Sequence, residues 1–229
     1  SKIGNLKDIN FFLIPSDKKN FQLETLDLLS ITKNKRLPSE KYRHIMTENL
    51  IITDHPVVTT GDATKDIMNI PAWISEWLKS TFIKKKDFSK NVEDKIFIDR
   101  TVSGSDKKEQ RIIKNEEEVK DYLKKEKFTS VKLHETSFKK QVELFNKAKC
   151  IVGLHGGGFA NLSFCEPGTK VIELRSKNAG TPIENLAKKN NLNYNSLIIE
   201  AEQIEKYNYP NQQGSIDVPL DSLASLIEK

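Results

Sequence analysis

The stretch IVGLHGGGFANLSFCEPGTKVIEL, residues 151–174, decides the fold. It reads as an apolar strand over 150–154, a glycine-rich turn, a short helix to about Cys165 and a second apolar strand over 170–174. Near-continuous runs of Val, Ile and Leu mark strands buried on both faces, as in a parallel sheet. Three consecutive glycines, Gly156, Gly157 and Gly158, let the backbone approach a ligand closely. The N–H groups opening the following helix point at whatever sits there, and an anion suits them. The helix dipole adds about 0.3–1 kcal/mol for a negative group at that end. The competing use of the glycines is close helix–strand packing.

Working outward, residues 95–99 (KIFID) read as a buried strand and 115–125 as a helix, with Asn115 as cap and Glu118 as its reciprocal partner. A strand over 130–134 and a helix over 138–148 follow, the helix carrying Phe138, Val142 and Phe145 on one face. Downstream, Thr181-Pro182-x-Glu184 opens a further helix, 197–200 forms a strand and 220–227 a closing helix. Such alternation specifies an α/β fold with a Rossmann-like, doubly wound, mostly parallel sheet over 95–229. The first half is less regular: a strand at 9–14, a helix at 21–29, a strand at 50–53, a long loop through 56–69, and a helix at 71–83 with Trp73, Trp77 and Leu78 at helical spacing. So few strands make no independent sheet of ordinary size, so 1–90 reads as a partial or minimal N-terminal α/β lobe ending in a bridging helix.

The chain has 229 residues, with 37% hydrophobic and 30% charged side chains, which excludes a disordered chain. Its apolar runs are a handful of residues long, far short of the roughly 20 a membrane span needs. All but five of the 37 basic residues are lysine, and they alternate with Glu and Asp, as in residues 116–127. A nucleic-acid surface concentrates arginine and aromatics instead. Nucleic acid is therefore not an expected partner, and the basic cluster at 79–90 reads as a solvated face. Cys150 and Cys165 show neither a disulfide framework nor metal-ligand spacing. No basic segment followed by an apolar core opens the chain, so a cytoplasmic setting or the inner face of a membrane is expected.

The glycine turn is a near miss of the dinucleotide fingerprint. It falls on the third strand of its half, and Glu173 lies too close to serve as the acidic residue expected about 20 positions on. No lysine follows the glycines, which argues against a phosphate-binding loop of the NTPase kind. What remains is a linked series of motifs. Ile98-Asp99-Arg100 follows a strand, Arg111-Ile112-Ile113-Lys114-Asn115-Glu116 precedes a helix, and Ser137-Phe138-x-x-Gln141 opens the next. Ala148 precedes the strand that leads to HGGGFAN at 155–161, and Phe164, Pro167-Gly168 and Val171-Ile172-Glu173 complete the series. In this order the motifs over 95–175 resemble the catalytic region of the family 61 glycosyltransferases, which serve plant cell-wall synthesis, animal protein O-glycosylation and bacterial surface polysaccharides. Phe21-Gln22-x-Glu24-Thr25-Leu26, Leu50-Ile51-Ile52 and Pro71-Ala72-Trp73 are similar more loosely. The family commonly has Ser where Asp99 stands, Ala at Gly157 and Leu at Phe159.

The resemblance implies a two-lobed GT-B enzyme that transfers a sugar, with inversion, from a nucleoside-diphosphate sugar to a glycan or glycoconjugate acceptor, as in surface polysaccharide biosynthesis. It implies no cofactor, and no metal is expected, since the chain lacks an Asp-x-Asp pair. On this reading Gly156, Gly157 and Gly158 meet the donor diphosphate through N–H groups, and His155 donates to a phosphate oxygen or sugar hydroxyl. Arg100 and Arg111 supply cationic contacts, Asn161 reaches the donor sugar, and Glu173, at the end of its strand, accepts the ribose hydroxyls. Each has a bland alternative: a satisfied buried histidine, an Arg100–Asp99 ion pair, Arg111 neutralising the helix start, Asn161 bonding the turn, and a Glu173 salt bridge. His155 is the one named catalytic candidate. For the base that deprotonates the acceptor, the candidates are Glu24, His44, Glu48, Asp54 and His55. The rival reading is a non-catalytic nucleotide-binding or scaffolding lobe derived from such an enzyme.

Overall fold

The computed structural model describes residues 5–53, 71–89, 93–100, 112–177, 179–201 and 215–228. The expected loop at 56–69 lies outside them, as do Asp54, His55 and Arg111. The chain divides into two compact units, one of residues 1–55 with 137–140, the other of 56–136 with 141–229.

In the first unit, strand β1 (Phe12–Ile14) runs parallel to β2 (Arg36–Pro38), with helix α1 (Asn20–Leu28) between them. The Gln22 side chain caps α1 by accepting the Lys19 N–H at 2.9 Å, and Ser30 (φ 61°) ends the helix in the left-handed region. Arg36 is buried; its Nε donates to the Ile31 carbonyl at 2.7 Å and its Nη2 pairs with Asp27. The strand expected at 50–53 does not form. Leu50, Ile51 and Ile52 are exposed, so they bury no apolar face that would hold them in a sheet, and no ladder partner lies beside them among the described residues. The pairing falls instead to the short 36–38 segment.

The second unit opens with helix α2 (Ala72–Phe82), followed by β3 (Lys95–Asp99), β4 (Ile112–Ile113), α3 (Glu116–Lys125), β5 (Thr129–Lys132), α4 (Phe138–Lys147) and β6 (Cys150–Leu154). A 3-10 segment at Gly157–Phe164 leads to β7 (Lys170–Ser176), α5 (Pro182–Lys189), β8 (Asn193–Ile199), β9 (Ser215–Ile216) and α6 (Leu220–Glu228). Five strands make one fully parallel sheet in the order β5-β3-β6-β7-β8. The first four residues of helix region 137–147 cluster with the first unit and the rest with the second.

Side chains of alternate strand residues build two layers. On one face Phe97, Val152, Leu154, Ile172 and Leu174 pack with Val119 and Leu123 of α3 and Leu223 of α6. The chain moves one way from β3 to β5 and the opposite way from β5 to β6, so right-handed crossovers place α3 and α4 on opposite faces. The second face carries Ile98 and Gly153, and a side chain on Gly153 would lie 3.1 Å from the Phe159 ring. Gly153 thus makes room for Phe159 to cover the sheet. The α/β, mostly parallel expectation holds.

Two local expectations differ. Asn115 precedes α3 but makes no side-chain cap; its amide donates to the Val218 carbonyl and accepts the Val218 N–H, both at 2.9 Å. It thereby ties the β4–β9 pair together instead of forming a capping box with Glu118. Strand β7 runs to Ser176, two residues past the expected end, so Glu173 is the fourth of its seven residues.

Candidate functional site

Numbered along the chain, the five sheet strands stand in the order 2-1-3-4-5, and the order reverses between β3 and β6. In open α/β sheets ligands bind beyond the carboxyl ends of the strands at such a reversal, where flanking loops diverge and leave a crevice. The residues emerging there are Arg100 after β3 and His155-Gly156-Gly157-Gly158 after β6. Arg100 Nη1 donates to the His155 carbonyl at 3.0 Å. A Cβ on Gly156 would lie 2.8 Å from the same Nη1, so the missing side chain is what lets the guanidinium rest on the turn.

The three glycines divide the two expected uses between them. Gly158 serves packing, since a Cβ there would come 2.9 Å from Leu133 and 3.2 Å from Ile98. Gly157 faces open space. The His155 N–H is used by the Leu174 carbonyl at 2.8 Å, and the next N–H with a backbone acceptor is that of Phe159, to Gly156 O at 3.1 Å. Among the described residues the amides of Gly156, Gly157 and Gly158 take no backbone acceptor, and none of the three is buried. Three successive N–H donors without a backbone acceptor and one arginine thus lie together at the turn, a cationic and dipolar surface fit for an anion.

Behind the turn lies a buried polar chain. His155 Nδ1 meets Glu173 Oε1, and the Tyr194 hydroxyl donates to Glu173 Oε2. Glu173 is 0% exposed and His155 6%. Register explains the third member: Val171 pairs with Tyr194 and Glu173 with Ser196, so Tyr194 is the diagonal neighbour of Glu173 on the same face. Burial, followed by the bond to Glu173, pushes the Tyr194 phenol well above its usual range. A carboxylate on Nδ1 fixes the imidazole's tautomer and orientation, and Nε2 is the nitrogen that Glu173 does not engage. Both carboxylate oxygens of Glu173 thus have partners inside the protein, and the residue lies within its strand, not at the crevice mouth.

A model of the glycosyltransferase 61 family matches residues 10–172. The chain belongs to that family. No curated protein matches the chain in sequence. Membership of this family points to glycosyl transfer, with a sugar donor and an acceptor as the ligands. The match reaches upstream to residue 10, so the looser likenesses at 21–26, 50–52 and 71–73 fall within it, as do Arg100 and the whole HGGGFAN turn.

Seen in this family 61 chain, the remaining motif residues hold the turn in place. Asn161 Nδ2 donates to Gln141 Oε1 at 3.0 Å and to the Gly158 carbonyl at 3.2 Å. Gln141 Nε2 in turn donates to the carbonyls of Leu133 and Thr136, at 2.8 and 2.9 Å. The bond expected from Asn161 to the turn backbone is therefore present, and Gln141 ties the turn to the loop after β5. Thr169 Oγ1 donates to Ala148 O at 3.0 Å, and Gly168 (φ 85°) turns the chain into β7.

At β3 the carboxylate of Asp99 reaches Lys120 Nζ at 3.2 Å, and Glu116 reaches the same ammonium at 3.3 Å. Burial opposes the charge on Lys120, yet its hydrogen bond to Asp99 and the field of Glu116 outweigh it and raise the ammonium's pKa. Asp99 thus engages a lysine of α3, while Arg100 leans over the turn. Of the base candidates, Glu24 accepts the Phe138 N–H at 2.6 Å within the first unit, at the start of α4. His44 and Glu48 are exposed, also in the first unit. Cys150 and Cys165 are buried, and burial pushes both thiols up, so they are packing residues. Sequence reasoning missed Tyr194, Gln141 and Lys120; only Gln141 carried a signal, its place in the Ser137-Phe138-x-x-Gln141 motif.

Proposed function

We propose that the chain transfers a sugar with inversion from a nucleoside-diphosphate sugar to a glycan or glycoconjugate acceptor, with the donor diphosphate on the turn from His155 to Asn161. The observation that carries this is the placement of Arg100 and three successive glycine amides at the reversal point of the sheet, in a chain of this family. Family likeness supports a GT-B type of enzyme.

In the reaction the acceptor oxygen attacks the anomeric carbon from the face opposite the diphosphate. The bond to the leaving oxygen breaks, its electron pair stays on the diphosphate, and the acceptor proton goes to a base. Charge therefore builds on the diphosphate in the transition state, where fixed N–H donors and a guanidinium stabilise it most. Arg100 is suited to this by its rigid fork of donors. His155, oriented through Nδ1 by Glu173, donates to a phosphate oxygen or sugar hydroxyl in this scheme; Glu173 acts through His155 and Tyr194 acts through Glu173. For the base, Glu24, occupied at the start of α4, ranks below His44, Glu48, Asp54 and His55. Arg111 completes the proposed cationic set. The chain needs no metal or organic cofactor in this scheme, and it works in the cytoplasm or at the inner face of a membrane, in surface polysaccharide synthesis.

One observation favours the rival reading of a non-catalytic lobe. In the first unit Ile31 and Phe138 are the buried hydrophobic residues among those described, a thin foundation for an acceptor site. Incubation of the full chain with a panel of labelled sugar nucleotides, with and without polysaccharide acceptors, separates the two. Transfer, or slow donor hydrolysis that Arg100→Ala abolishes, supports the enzyme. Neither with any donor, in protein that binds nucleotide, establishes the binding lobe.

A further inference from the structure

Trp73 and Trp77 are the chain's only two tryptophans, and both lie in α2. They are 55% and 44% exposed, where tryptophan is normally one of the more buried side chains. Four residues apart, they share one face of the helix. The helix is anchored through Ser75 and Phe82, which are buried; the Phe82 ring meets Phe164 edge-on at 6.5 Å between centroids and takes the edge of Trp77 at 6.1 Å, which holds that half-exposed ring in place. The tryptophans are therefore not outward by fraying; the helix is held with that face turned out.

Charge continues the pattern. Across residues 72–86 the basic side chains are Lys79, Lys84, Lys85 and Lys86, and Glu76 is the one acid. Lys84, Lys85 and Lys86 are exposed, and although Lys85 pairs with Glu166 at 2.7 Å, its side chain stays 70% accessible. No arginine lies in this stretch. Tryptophan combines an apolar ring with one N–H donor, which suits the boundary between headgroups and acyl chains. Lysine rests its stem on apolar surface and carries its charge out to anionic headgroups. A nucleic-acid surface would instead put arginine among the aromatics. We infer that the exposed face of α2, with Trp73, Trp77 and the lysines that follow, docks the protein on an anionic lipid bilayer. The inference does not depend on the transfer reading.

Because both tryptophans sit on the proposed surface, their intrinsic emission reports contact directly. The full chain is titrated with vesicles of phosphatidylcholine containing phosphatidylglycerol and with phosphatidylcholine alone, and co-sedimentation is measured in parallel. The expected result is a blue shift with the anionic vesicles, reversed by high salt and absent with the neutral ones. Trp73→Ala/Trp77→Ala should co-sediment about tenfold more weakly, and so should Lys84→Gln/Lys86→Gln, whose exposed positions spare the fold. Absence of shift and sedimentation with anionic vesicles overturns the proposal. So does equal binding to neutral vesicles, binding unchanged by either pair of substitutions, or a shift given by a single-stranded RNA and not by vesicles.

Discussion

In the sheet unit Ile96, Phe145 and Ile172 are 0% exposed, whereas in residues 5–53 Phe11, Leu13, Ile51 and Ile52 are all more than half exposed. Two three-residue strands in the first unit stand against five longer ones in the second. Buried apolar area is the main favourable contribution to folding, so the stability of the chain resides in the second unit. The difference bears on function as well. The turn at His155 is braced by the sheet, by Gln141 and by the buried His155–Glu173–Tyr194 chain, which is the rigidity a preorganised anion site needs. The first unit has the lightly packed character of elements that open at little cost.

Substitutions that act unequally on the two units test this contrast. Phe145→Ala, in the middle of the sheet core, should lower unfolding stability by about 3–5 kcal/mol. Leu13→Ala in the first unit should change it by less than about 0.5 kcal/mol. Chemical denaturation measures both, and equal losses would erase the distinction. Within the second unit, Gly158→Ala forces Ile98 and Leu133 apart and should cost about 1–3 kcal/mol. Gly157→Ala meets open space and should be neutral or stabilising by up to about 1 kcal/mol. Similar losses at the two glycines would contradict the division of labour in the turn.

Tyr194→Phe removes a hydrogen bond to a buried carboxylate and should cost about 1.5 kcal/mol near neutral pH. The phenol's pKa is raised in the folded state, so its contribution is complete below its unfolded value of 10.0 and is lost as pH climbs through the higher folded value. Denaturation midpoints at a series of alkaline pH values should therefore fall less steeply above pH 10 in Tyr194→Phe than in the parent. Parallel curves would place Tyr194 outside the buried chain.

What the sequence disclosed follows from burial. KIFID and CIVGL read as strands at their observed bounds because fully buried parallel strands are unbroken apolar runs. Strand β8 begins Asn193-Tyr194-Asn195, a polar edge-strand start, and so only its Leu197-Ile198-Ile199 end was legible. Strand β2 has three residues and one proline, too little for any periodic signal. The turn at 155–161 is legible as a tight turn because three consecutive glycines follow an apolar strand. Tyr194 was not, because its link to Glu173 depends on the β7–β8 register, which no local pattern encodes. Glu173 was placed at a strand end because Arg175 and Ser176 look like a boundary, yet both continue the ladder with β8.

Isothermal titration of the folded chain with uridine, guanosine and cytidine diphosphates tests the central claim most directly, repeated with Arg100→Ala. The account predicts saturable binding of at least one of them and a loss of about tenfold or more in Arg100→Ala, as expected for a charge-assisted contact to phosphate. Binding by none of the three, or binding of equal strength in Arg100→Ala, would contradict a donor site at the reversal of the sheet.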